Sequence, residues 1–385
     1  HSMQITNRIS VSRISVSFYF FFCGLIFSTW AARIPSIKDH FELNEAALGG
    51  LLFMLPMGSL VALPIAGWSV HRFGSKLVTL IAAIAYGLIL MLISRAGGIW
   101  QLSILLFCFG FAGDILNISM NTQGLSVQQI LNKPILSGLH AQWSIGALAG
   151  AVIGGWSMKN NQSTAVHFML VSVIAMAISL WMSFYMVKDY QHADAGQKLF
   201  ARPGKALLLL GMICFCTAMA EGAMADWSSL YYRQVLQDQS KVSTTGYTAF
   251  TFAMAIGRLM GDRLIQIFRY RNTLIFNGVL IASGITIALA WQVPVAVIIG
   301  YALVGLGVSS VIPIVYMIAG KSRTMAPAAA LATVSTIGFT GFLIGPPVIG
   351  FIAHETSLRF ALILVVVLGA IIVLLAGRAV KKNSP

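Results

Sequence analysis

Two carboxylates, Asp114 and Glu221, stand deep inside long apolar runs, where an ionised side chain turned toward lipid is costly and polar groups face a bundle interior or a wet cavity. Asp114, Asn117 and Asn121 are spaced i, i+3, i+7, so a helix carries all three on one face. Such a face either lines a path for a polar solute or hydrogen-bonds neighbouring helices together. His140 opens the next apolar run at a depth similar to Asn117 and is either a hydrogen-bonded structural histidine or a solute or proton contact. Glu221, in Ala220-Glu221-Gly222, is either a neutral structural acid or the group whose protonation couples solute to protons. It is the leading candidate for coupling and Asp114 the second. The expectation is that Asp114, Asn117, Asn121 and Glu221 project into one central cavity.

Four further charges have defined positions. Arg33 follows Trp30 and Asp226 precedes Trp227, at equivalent ends of the first and seventh apolar runs. They are expected to form an external gate pair; the alternative is that Arg33 snorkels to headgroups and Asp226 caps or solvates its own helix end. Arg258 and Asp262 are i, i+4 neighbours and read as a structural pair. The four cysteines, Cys23, Cys108, Cys214 and Cys216, all lie within apolar runs, a pattern of packing and not of a disulfide framework or metal knuckle. No metal, cofactor or catalytic residue is expected. GxxxxGK[ST] is absent, so ATP-driven chemistry is not indicated and the chain does not read as an enzyme.

The elements that position these residues follow from composition. With 58% hydrophobic and 9% charged residues and a mean hydropathy of +0.84, the apolar surface exceeds what a soluble core hides. The chain reads as an all-α integral membrane protein. About twelve runs reach the roughly 20 residues that a helix needs to cross a bilayer. They fall in two sets of six about a polar seam near the midpoint, Lys188 to Lys205. The expected organisation is a six-helix bundle over 3–187, a cytoplasmic linker over 188–205 and a second six-helix bundle over 206–385, with His1-Ser2 excluded as an expression scar. The formal charge of +14 does not indicate nucleic acid, because Lys and Arg are spread over short loops, in the alternation of a positive-inside topology with both termini cytoplasmic.

Several motifs carry a resemblance. Gly67-Trp68-Ser69-Val70-His71-Arg72-Phe73-Gly74-Ser75-Lys76 resembles the loop between the second and third helices of the major facilitator superfamily, with His71 where an acid is usual. Thr29-Trp30-Ala31-Ala32-Arg33-Ile34-Pro35, the spaced Asn117 and Asn121, Ala220-Glu221-Gly222, Asp226-Trp227, Gly257-Arg258 and Gly345-Pro346-Pro347 together resemble the fucose-permease-like branch of that superfamily, in particular its poorly characterised bacterial inner-membrane members. The resemblance implies twelve transmembrane helices in two pseudo-symmetric bundles, and proton-coupled sugar uptake. The branch usually has a glutamate where Asn117 stands, and the sugar permease has a first-helix aspartate that this chain lacks. Asp114 lies one turn before the missing acid. The function expected is a monomeric secondary transporter of a small polar organic solute, with protons and the bilayer as its other partners. An exporter of amphipathic compounds or lipids, suggested by 23 Phe and 17 Met, and a membrane sensor or scaffold that does not transport are the alternatives.

Overall fold

In lipid, backbone N–H and C=O groups find partners only within a helix or a closed barrel, and the apolar runs of this chain take the first solution. The computed structural model describes residues 2–131, 135–188, 203–237, 244–321 and 327–380, and their regular structure is helical throughout. The helices are α1 (Ser2–Ala32), α2 (Ile34–His40), α3 (Glu45–Phe73), α4 (Ser75–Ile93), α5 (Ile99–Leu131), α6 (Leu136–Lys159) and α7 (Thr164–Ser183). After the seam come α8 (Lys205–Leu236), α9 (Thr245–Ala290), α10 (Pro294–Ser309), α11 (Val311–Ala319), α12 (Pro327–Glu355), α13 (Leu358–Ala361) and α14 (Ile363–Ala379).

Among the described residues, ten helices are long and apolar enough to cross a membrane. The expected fifth and eighth spans are helical too but more polar. The fifth is α6, which carries His140, Gln142 and five glycines. The eighth is the first limb of α9, with Arg258 and Arg263; it turns into the ninth at Arg269, whose φ of 62° and ψ of 163° are not helical. Two other spans are broken in place. Arg33 (φ −101°, ψ 4°) separates α1 from α2, where Pro35 enters the first turn, and Ser310 (φ −110°, ψ −3°) separates α10 from α11.

The chain forms two compact units: His1–Glu42 with Leu51–His192, and Leu43–Gly50 with Ala193–Pro385. Most of the expected linker, 189–202, lies outside the described residues. In the first unit α1 packs on α6 and α4 on α5; in the second α9 packs on α10 and α14, and α8 on α12. The α1–α6 seam is close because it is glycine-lined: a Cβ on Gly24 would strike the carbonyl of Trp143, and one on Gly146 the carbonyl of Phe21. The first unit's core holds Tyr19, Phe20, Phe22 and Trp30, each at most 1% exposed. An aromatic cluster at a helix end suggests a membrane-interface anchor; here Tyr19 instead reaches inward, its hydroxyl donating to the Ser179 carbonyl at 2.7 Å. Trp227, Tyr247, Phe250 and Tyr301 are the corresponding buried residues of the second unit.

Candidate functional site

In the first unit, α5 carries Asp114, Asn117 and Asn121 along one stripe. Asn121 Nδ2 donates to the Asn117 carbonyl at 2.7 Å and to Asn117 Oδ1 at 3.1 Å, the contact that the i, i+4 spacing allows. Asn117 is exposed, whereas its neighbours Leu116 and Met120 are buried. Asp114 is set deeper. Its Oδ2 is buried with no hydrogen-bond partner, and no ion pair reaches it among the described residues. The carboxylate faces the Asn117 side chain and Cys23 of α1, which in turn meets Trp143 of α6. Trp143 and Phe27 lie with ring centroids 6.1 Å apart. His140 is exposed and stands edge-on to Phe20 at 5.1 Å. The stripe thus offers amide donors and acceptors, an imidazole, aromatic faces and a carboxyl oxygen still lacking a donor.

Arg33 is 4% exposed, so it does not reach outward to headgroups. Its Nε donates to His167 Nδ1 at 3.1 Å, and its Nη2 donates to Ser157 Oγ and to the Gln162 carbonyl, both at 2.8 Å. All three acceptors are neutral and belong to the first unit. Because His167 Nδ1 accepts, its remaining ring proton sits on Nε2, which has no partner. Arg33 in this arrangement ties the break between α1 and α2 to the end of α6 and the start of α7.

In the second unit, Glu221 of α8 pairs with Arg258 of α9, Oε1 to Nη2 at 3.4 Å, with side chains 12% and 18% exposed. Arg258 therefore has a carboxylate partner on a neighbouring helix, in addition to the position one turn ahead occupied by Asp262, whose side chain lies outside those described. Beside the pair, Cys214 faces Glu221, and Ser335 of α12 donates to the Tyr316 hydroxyl of α11 at 2.9 Å. Asp226, five residues after Glu221 and so on a different face of α8, is partly buried and has no ion pair among the described residues. Trp227 beside it is fully buried.

Sequence alone gives no role to His167, Ser157, Trp143, Tyr316 or Ser335, and marks Cys23 only as a packing residue. One signal was present. His167 is a lone basic residue within an apolar run, and a buried arginine elsewhere needs acceptors.

Two units of apolar helices, each with a charged or amide-bearing helix face, define a helical membrane protein. A crystal structure of a mutant of the nucleoside transporter NupG matches with a TM-score of 0.78, covering 95% of this chain and 98% of that one, at 10% identity. The model of the Major Facilitator Superfamily matches residues 240–385. An uncharacterized MFS-type transporter of Yersinia pestis, YPO1221/y2967, is 33% identical over 365 residues, 94% of each chain. The multidrug resistance protein MdtG of Escherichia coli is 26% identical over 269 residues, 63% of this chain and 64% of its own. The chain belongs to the major facilitator superfamily and is a multi-pass membrane protein.

Proposed function

We propose that the protein is a secondary active transporter of the bacterial inner membrane, moving a small polar organic solute by alternating access and coupling it to protons at Asp114. The difference between the two intramembrane carboxylates carries this reading. Glu221 has Arg258 at 3.4 Å and is neutralised without a proton. Asp114 has no cation among the described residues and an oxygen that no donor reaches. A proton, or a donor on the solute, completes it, and coupling needs an acceptor that gains and loses such a partner. The order of the two candidates read from sequence is thereby reversed. Asn117, Asn121 and His140 supply hydrogen-bonding groups for a polar solute along the same stripe. Membership of the superfamily supports transport. Sugars follow from the resemblance in sequence, and nucleosides join them as test solutes because NupG shares the fold.

Export of amphipathic compounds is the second reading, favoured by the similarity to MdtG. One screen separates the two. Purified protein is heated with sugars, nucleosides, amino acids and amphiphiles in turn, since a ligand at 100 times its Kd stabilises the state it binds by about 2.7 kcal/mol. Each hit is then tested for counterflow in proteoliposomes. A polar hit that exchanges supports the first reading, and amphiphile hits alone support the second. Binding without exchange would mean a sensor and would refute both.

A further inference from the structure

Three spans end together in the first unit: α3 at Phe73, α4 at Ser75 and α7 at Ser183. A cleft of about 370 Å³ opens among these ends, lined by the apolar Phe73, Leu77 and Leu80 together with the cations Lys76 and Lys188. The volume falls within the roughly 300–1,000 Å³ of ordinary ligand sites, but its position is that of a lipid headgroup, where spans leave the hydrocarbon. Two of the apolar side chains are exposed. Phe73 is 55% exposed and Leu77 48% exposed, and Trp68, edge-on to Phe73 at 5.7 Å, extends this apolar surface in the manner of an interfacial aromatic belt.

Two cations line the same cleft. Lys76 Nζ donates to the Met186 carbonyl at 3.4 Å, a long bond to a neutral group that leaves two of its three protons uncommitted to that carbonyl. Lys188 is exposed at the rim. Gly74, the cap residue of α4, also lines the cleft and provides no side-chain acceptor for the first turn. Among the described residues, no carboxylate lines the cleft. A groove at a span end that is lined by both apolar side chains and two lysines complements a molecule with an anionic head and a hydrocarbon tail.

We infer that this cleft binds an anionic phospholipid, with the phosphate between Lys76 and Lys188 and an acyl chain along Phe73, Leu77 and Leu80. The inference is independent of the transported solute. The test uses purified full-length protein in a neutral detergent, heated with added phosphatidylglycerol, phosphatidylcholine or inorganic phosphate, with lipid adducts followed by native mass spectrometry. Phosphatidylglycerol is expected to raise the unfolding temperature and to persist as a one-lipid adduct. Phosphatidylcholine and inorganic phosphate are expected to do neither. In Lys76→Gln/Lys188→Gln the phosphatidylglycerol shift should fall by at least half; should that variant fail to fold, Lys188→Gln alone, which leaves the Lys76 bond to Met186 in place, should still weaken adduct retention. An undiminished shift in the folded variant, an equal response to phosphatidylcholine, or an equal response to inorganic phosphate would each overturn the assignment.

Discussion

Glu221 and Arg258 are nearly buried partners, and removing one leaves the other charge without compensation, a larger loss than the net worth of the pair. Glu221→Gln should therefore lower the unfolding temperature, and Glu221→Gln/Arg258→Gln should recover part of the loss, with a coupling on the order of 1–3 kcal/mol in a double-mutant cycle. Additive losses would show that the 3.4 Å contact carries no energy. Arg33 makes a different prediction because its acceptors, His167, Ser157 and Gln162, are neutral. Arg33→Lys retains the charge but cannot reproduce donors from both Nε and Nη2, so it should destabilise nearly as much as Arg33→Ala. The loss should be the same at low and high salt, since no exposed ion pair is involved; a thermal melt across a salt series checks this. From sequence Arg33 reads as a charge in search of an opposite charge. Its acceptors lie more than 120 residues away in the chain, and a carbonyl and a serine leave no charge signal to find.

At the scale of the element, the polarity pattern was legible and the closeness of packing was partly so. The glycines of the fifth span, four apart, predict a close seam, and α1 fills it, with Gly24 and Gly146 each meeting the backbone of the other helix. Gly146→Leu should therefore separate α1 from α6 and lower the unfolding temperature sharply. Gly67→Ala is the control: nothing lies within 4 Å of a Cβ there, and replacing a helical glycine by alanine should change stability by no more than about 1 kcal/mol, in the stabilising direction. Equal effects at the two positions, read as melting temperatures, would argue against the seam. Tyr19, Phe20 and Phe22 of the aromatic cluster are buried for a physical reason. Composition marks aromatics as interfacial, but α1 is surrounded by α4, α5, α6 and α7, and a helix packed on so many sides buries aromatics that an outer helix would present to headgroups. The break at Arg269 was hidden, because no proline or glycine marks it, whereas the break at Ser310 lies three residues before Pro313, which has no N–H to bond the Ser309 carbonyl.

For the whole molecule, the fold class was legible because twelve apolar runs admit few solutions in a bilayer; kinship to a transporter family follows from the relative at 33% identity, and the solved neighbour shares the fold. The proposed coupling site was half legible: sequence isolates Asp114 and Glu221, and the choice between them rests on Arg258, which is 37 residues from Glu221 and could by sequence have served either acid. The measurement that tests the account most directly reads protons and solute together. Proteoliposomes loaded with pyranine and containing wild-type protein or Asp114→Asn are given the polar solutes that stabilise the purified protein, and internal pH and counterflow are recorded in parallel. Wild type should move protons with one solute class, and Asp114→Asn should abolish the pH change while keeping counterflow of that solute. Proton movement by Asp114→Asn at the wild-type rate would contradict the assignment of coupling to Asp114.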